Sequence, residues 1–342
     1  MTWGNALTWR RRIGLLLALA GLAACALVSI MVGSRWLGVG AVLDALLRPG
    51  DELAGADPTV AIVWGLRVPR TGFGLAVGAA LGMAGALMQG LTRNPLADPG
   101  LLGVSAGASL AVVLSTGVLG VTSLTGYIWF AFAGAAVAAV VVFLLAARGV
   151  GGATPTKLAL AGAGVTAMIG SLTTSLLLSD AATLDRYRFW SVGALSGQDP
   201  ATLLQVLPFL AAGALLAAVV APGMNVLSLG EDAARGLGQR IGLIRIAGVV
   251  AITLLAGAGV AVCGPIAFVG LVVPHIARAI CGPDHRWVLA YSAVLAPALL
   301  LAADVFGRLV AYPDELHVGI VVAALGAPFF IAFVRRSRVA EL

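Results

Sequence analysis

Few residues in this 342-residue chain could do chemistry, and those few stand apart from one another. Asp304 lies inside the apolar run Val288–Val310. An ionisable group in such a run is by default functional and needs a named partner. Arg308 follows four residues later, the spacing at which two helical side chains meet. A proton-carrying carboxylate and a local ion pair are both open readings. A proton-coupled carrier usually needs several such groups, and this chain offers essentially one. His275 is a lone polar group in the run Phe268–Cys281, where packing is the ordinary reading and ligation the alternative. Cys25, Cys263 and Cys281 have no metal-type spacing and read as small apolar fillers. There is no G-x-x-x-x-G-K-[ST] phosphate loop, no His/Glu metal cluster and no nucleophile elbow. The chain is therefore not expected to hydrolyse a nucleotide or to hold a metal by itself.

The elements around these groups are those of a membrane. Hydrophobic residues make up 60%, charged residues 11%, and the mean hydropathy is +1.04. Soluble chains are about 25% charged. That gap excludes a soluble enzyme, a disordered chain and a coiled coil. The net charge of +6 does not indicate nucleic acid, because the basic residues sit between apolar runs rather than in one stripe. Glycine, 45 of 342 residues, suits tightly packed membrane helices. Ten runs are long or apolar enough to cross: Ile13–Gly33, Thr71–Leu91, Leu101–Thr116, Ile128–Ala147, Leu158–Ser179, Leu203–Ala221, Ile246–Cys263, Phe268–Cys281, Val288–Val310 and Val318–Val334. The third and eighth are short. Arg10-Arg11-Arg12 before the first run resembles a signal-peptide start, but the run is long and Ser29-Ile30-Met31 is a poor cleavage site. Ten crossings put both termini on one side. With the N-terminus inside, 14 of the 21 lysines and arginines fall inside, and nine of the 15 acids fall outside. The positive-inside rule then places both termini in the cytoplasm. Residues 1–342 read as one transmembrane domain, all-α and polytopic, with Val39–Leu47 as a short surface helix between the first two spans.

Four segments break the helical pattern. In Arg93-Asn94-Pro95-Leu96-Ala97-Asp98-Pro99-Gly100, two X-Pro steps forbid a continuous helix, and Asp98 reads as an N-cap before Pro99. Irregular backbone at membrane depth must be buried in protein or line a watery cavity. A constriction near the cytoplasmic face and a tight inter-helix loop are both open. Gly264–Gly270 running into Pro274-His275 breaks a nominal helical pair. Ser228–Leu237 reads as a short polar helix, with Ser228-x-x-Glu231 as a capping box and Gly236 and Gly238 as stops. It is too short to stand alone, so either a partner receives it or it is a solvated loop helix. Asp185–Gln198 carries Arg186, Tyr187, Arg188, Phe189 and Trp190, which suit interfacial anchoring or a ligand vestibule.

Taken together, these segments resemble the permease subunits of bacterial ABC importers for iron–siderophore complexes, haem and vitamin B12, the FecCD-type permeases. The resemblance rests on Leu66-Arg67-Val68-Pro69-Arg70-Thr71, Gly85–Gln89, Arg93–Val104, Phe189-Trp190-Ser191-Val192-Gly193, Leu227–Glu231, Ala234–Gly238, Gly264–Arg278, Gly282-Pro283-Asp284-His285-Arg286 and Val318–Phe329. It covers about residues 60 to 336. Met88–Arg93, Arg188-Phe189-Trp190 and Pro265–Phe268 resemble most the ferric-enterobactin branch.

The resemblance implies ten helices and a second permease subunit, identical or related. It also implies two ATPase subunits and a periplasmic or lipid-anchored siderophore-binding protein. ATP and Mg would be bound by the partner ATPase, so the chain itself needs no cofactor and is not an enzyme. Arg67, Arg70 and Arg308 match outward-facing arginines that meet acids of the binding protein. Asn94, Leu96 and Thr156 match inner-gate positions, although Pro155 departs from that motif. Ser228, Leu229, Gly230, Glu231, Ala234, Arg235, Leu237 and Gly238, within about 223–244, match a helix pair that couples to the ATPase. The expected cargo is a ferric siderophore of the catecholate type, delivered through a bacterial inner membrane by alternating access into a cavity lined by small residues of spans two, three, five and eight. Haem or cobalamin is the alternative within the class. A proton-coupled carrier using Asp304 is the alternative from another class. Membrane lipid is an expected partner and nucleic acid is not.

Overall fold

A computed structural model of the protein describes residues 3–33, 35–47, 57–121, 123–148 and 154–339. Arg48, Asp51 and Glu52, which belong to the expected outer loop, lie outside the described residues. The helices in chain order are α1 (Trp3–Met31), α2 (Val39–Leu47), α3 (Pro58–Ile62), α4 (Val68–Thr92), α5 (Val104–Gly117), α6 (Leu124–Ala147), α7 (Pro155–Ser179), α8 (Ala181–Ser191), α9 (Pro200–Leu227), α10 (Glu231–Gly236), α11 (Ile241–Cys263), α12 (Val269–Cys281), α13 (His285–Val310) and α14 (Val318–Val339). A π-helical turn, Val63–Arg67, joins α3 to α4 without a break.

Each of the ten expected spans has its helix. Seven are long and apolar enough to cross a bilayer, and α5, α12 and the apolar part of α14 are shorter. The starts follow local chemistry. Asp57, Thr154 and Asp199 each cap a helix whose first residue is proline, the one residue with no N–H to leave unpaired there. Asp180 and Asp284 cap α8 and α13 in the same way. Two starts shift from expectation. Leu101 and Leu102 belong to a 3₁₀ turn, Pro99–Leu102, capped by Asp98 as anticipated. Phe268 precedes α12 in the left-handed region rather than opening it.

Two local readings are corrected. Ser228 is not an N-cap: it ends α9, and its hydroxyl donates to the Asn225 carbonyl. Gly230, at φ +106°, precedes α10 without a side-chain cap, and Glu231 uses its carboxylate on arginines instead of on backbone. Asp185–Gln198 is not a plain aromatic belt either. It begins inside helix α8, and Trp190 is buried, while Phe189 is exposed under the Arg188 guanidinium.

The core runs through α4, α5, α6, α7, α9, α11, α12, α13 and α14. Its axis is the α4–α13 pair, packed antiparallel along most of its length. Glycine makes this possible. A Cβ on Gly78 would stand 2.5 Å from the Pro297 Cα of α13. One on Gly85 would overlap the Gly270 carbonyl of α12. Close backbone approach through small residues is how helices associate where lipid offers no hydrophobic drive.

Candidate functional site

The charged residues gather at the two ends of the α4–α13 pair. At one end, Asp304 is 1% exposed and is held by two arginines. Arg70 grips it with two donors, Nε to Oδ2 at 2.9 Å and Nη2 to Oδ1 at 2.8 Å. Arg308 adds Nη2 to Oδ2 at 2.8 Å. Arg308 also donates to the carbonyls of Ser29 and Val32 and to the Ser29 hydroxyl, which fastens α1 to the cluster. Arg70 reaches Glu315 with its remaining nitrogen.

The three arginines expected to dock the binding protein all lie in or beside this cluster. Arg67 and Arg308 are 6% and 3% exposed and are turned inward, and Arg70 is committed to two carboxylates. The local Asp304–Arg308 pair exists, and Arg70 joins it from 234 positions away. A carboxylate neutralised by two guanidiniums is a poor proton carrier, because releasing either arginine leaves a buried charge uncompensated. Beside the cluster lies a recess of about 280 Å³ lined by Arg35, Arg67, Arg70, Gln198 and Glu315, among others. Arg67 donates one nitrogen to the Arg35 carbonyl, while its Nη1 has no hydrogen-bond partner among the described residues.

At the other end, α10 hangs below α9 and α11. Ala234 is its buried anchor, packed with Leu227 and Ile241, while Leu229 and Leu237 are 67% and 63% exposed. Glu231 is the hub. It accepts from Arg245 of α11, from Arg235 of its own helix at 3.1 Å, and lies 3.7 Å from Arg93 at the end of α4. Gly238 leaves the segment at φ +77°.

Arg93 opens the expected gate segment in the left-handed conformation. Asn94 accepts the Leu96 amide at 2.9 Å, a local turn that leaves both residues exposed. Gln89, one turn earlier, donates to the Gly270 and Leu271 carbonyls and accepts from Arg278, so α4 and α12 are joined by polar contacts inside the core. Thr156 is exposed in the first turn of α7, and α7 lies against the Pro99–Leu102 turn at Gly162. On α7, Thr166, Gly170, Ser171, Thr174 and Ser175 are exposed. Ser171 and Ser175 donate back into their own helix, which leaves that face only weakly polar.

Several partners were not legible in sequence. Nothing local joins Arg70 to Asp304, or Glu231 to Arg245, since neither pair has helical spacing. A demand for countercharge around one intramembrane acid was the only signal. His275 packs edge-on against Phe329. Among the described residues no group of His, Cys, Asp or Glu is placed to hold a metal ion. At the start of α8, the Thr183 hydroxyl and the amides of residues 182 and 183 hold the Asp180 carboxyl below its ordinary range.

Comparison with known proteins gives one consistent result. Residues 21–336 match the model of the FecCD transport family. The chain is 46% identical over 311 residues to the ferric enterobactin transport system permease protein FepD of Escherichia coli (strain K12), covering 91% of each. It is 45% identical over 277 residues to the Fe(3+)-citrate import system permease protein YfmD of Bacillus subtilis (strain 168), covering 81% of this chain and 82% of that one. Its fold matches a solved chain of the metal-chelate type of ABC transporter, caught facing inward, with a TM-score of 0.82 at 24% identity, over 95% of this chain and 99% of that one.

Proposed function

The chain belongs to the FecCD transport family, and from that premise we propose its cargo, its polarity and its docking surfaces. Membership makes it the membrane-spanning permease subunit of an ABC importer, a transport component that works with ATPase and binding-protein partners and is not itself an enzyme. The proton-carrier reading of Asp304 falls with that membership and with the double arginine grip on the carboxylate.

The proposed cargo is a ferric siderophore of the catecholate type. Support comes from the 46% identity to a ferric enterobactin permease, but the citrate permease at 45% makes iron–citrate the natural comparison. In the proposed orientation both termini are cytoplasmic, the Glu231 end faces two ATPase subunits, and the Asp304 end faces the binding protein. A second permease copy or paralogue completes the pathway, with the weakly polar face of α7 on its wall.

One observation carries this polarity. The Glu231 end offers a small helix flanked by two exposed leucines, the kind of knob a protein cleft receives. The Asp304 end offers a recess with a buried, unfilled guanidinium nitrogen. An unpaired buried donor is costly, and a carboxylate entering from a partner would satisfy it. Arg67 is thus the first point of contact, with Arg70 behind it and Arg308 holding the wall. Asn94, Leu96 and Thr156 form the gate at the opposite end.

The test is reconstitution with the cognate ATPase, pairing permease and binding protein in vesicles. ATP-driven uptake of iron–catecholate above iron–citrate is the expected result. Equal or reversed preference overturns the cargo. Uptake that survives Arg67→Ala with unchanged dependence on binding-protein concentration overturns the docking surface.

A further inference from the structure

A cluster at the end of α9 has no part in the account so far. Asn225 lies in the last turn of α9, three residues before Ser228 and six before Glu231. Its side chain bonds across 59 and 60 positions of sequence. Oδ1 accepts the His285 backbone N–H at 2.8 Å and faces His285 Nδ1 at 3.0 Å. Nδ2 donates to Asp284 Oδ1 at 2.7 Å. The backbone N–H fixes the orientation of the amide, since turning it over would set two donors against each other and two acceptors against each other. The contact at His285 Nδ1 is a hydrogen bond in the tautomer that carries its proton there. The other side of the ring closes on α4: a Cβ on Gly90 would stand 2.6 Å from His285 Nε2. One carboxamide thus joins the end of α9 to the first turn of α13, at the point where α4 passes.

We propose that Asn225 is a positioning residue for energy coupling: it fastens the end of α9, from which the α10 helix hangs, to the α4–α13 pair, so that a push on α10 displaces that pair. This rests on the coupling reading of the Ser228–Gly238 segment above. The mechanical case has two parts. First, the direct contact of α10 with α4 is the 3.7 Å Glu231–Arg93 pair between partly exposed side chains, a loose tie, while Arg245 ties Glu231 to α11 rather than to α13. The Asn225 contacts are shorter and better shielded. Second, the load has a stiff member to act on. α13 is seated on α4 through Gly78, and Asp304 lies nineteen residues beyond His285, about 28 Å along a helix axis. Pro297 interrupts the hydrogen bonding of α13 between these points, but it is the residue seated against Gly78 of α4, so movement at the latch is passed along the packed pair to the Arg70–Asp304–Arg308 cluster. Asp284 also caps α13 through the Arg286 amide, so the latch and the helix start share one carboxylate.

The test uses the whole importer complex in lipid nanodiscs and hydrogen exchange with and without ATP and vanadate. The variants are Asn225→Ala, Asp284→Ser, which keeps a capping hydroxyl, and the two combined. In the unaltered complex, trapping is expected to change exchange over 228–238 and over 285–292 together. In each variant, exchange over 285–292 without ATP should rise about tenfold, the scale of one or two lost buried hydrogen bonds. The change caused by trapping should vanish there while persisting over 228–238. The double variant should be no worse than either single one, as for two members of one contact. A trapping response over 285–292 that survives Asn225→Ala overturns the proposal, because the latch then only orders the helix start. If the unaltered complex shows no trapping response over 228–238, the coupling reading itself fails, and the proposal with it. Copurification of the ATPase with every variant separates these outcomes from misfolding.

Discussion

The two ends of the α4–α13 pair hold their charges in opposite ways. At the Asp304 end, one carboxylate and two guanidiniums are withdrawn from solvent and hydrogen-bond to each other and to the end of α1. At the Glu231 end, the acid is 20% exposed and its arginines range from 11% to 60%. A buried cluster is locked, because separating it strands a charge in a medium that cannot solvate it. An exposed cluster exchanges partners with water at little cost. The first arrangement suits a fixed joint, and the second suits a segment that must move against a partner.

Asp304→Asn is the largest expected blow to that contrast. It leaves Arg70 and Arg308 buried without their shared anion and should cost about 3–5 kcal/mol of stability. Thermal unfolding in detergent would show it as a collapse in the yield of folded protein. An unfolding temperature within a degree of the parent would mean that the joint is not locked. Next comes Gly78→Leu, which forces α4 away from Pro297 and should cost about 1–3 kcal/mol by overpacking. Its measurement is the same, and a neutral result would show that the rod is not stiff.

At the Glu231 end the expected pattern reverses, with small effects on stability and large ones on transport. Leu96→Trp should leave unfolding unchanged and block ATP-driven uptake in vesicles. Unchanged uptake would remove the constriction at Asn94–Leu96. Glu231→Gln should cost less stability than Asp304→Asn, since only Arg245 of its three arginines is buried, yet lower uptake several-fold by freeing α10. Arg188→Ala is the baseline. Its pair with Asp185 is more than 60% exposed on both sides, and its loss should change stability by less than about 0.5 kcal/mol.

Local signals in the sequence served well wherever the physics is local. Asp98-Pro99 states its own helix start, and the structure uses it, as it uses the same kind of step at Asp57-Pro58, Thr154-Pro155 and Asp199-Pro200. The Asp304–Arg308 pair was visible for the same reason, one helical turn being short enough to see. Ser228-x-x-Glu231 looked like the same kind of signal and was not. Once Arg245 and Arg93 come within reach, a carboxylate gains more from them than from a neutral backbone amide, so Glu231 leaves the cap. The surroundings of the expected docking arginines were not legible for a related reason: Asp304 and Glu315 hold Arg70 from distant positions, and Arg67 lines the recess beside them.

The sequence alone therefore determined that the chain crosses a membrane about ten times, where most crossings begin, and which segments interrupt them. Those properties follow from hydropathy and from contacts within a few residues. Only the tertiary structure decided which charges meet: Arg70 with Asp304, Arg245 with Glu231, Asn225 with Asp284 and His285. The first of these pairs is made by helices that pack because glycine lets their backbones approach. The energies of all these contacts depend on burial, which no spacing along the chain records.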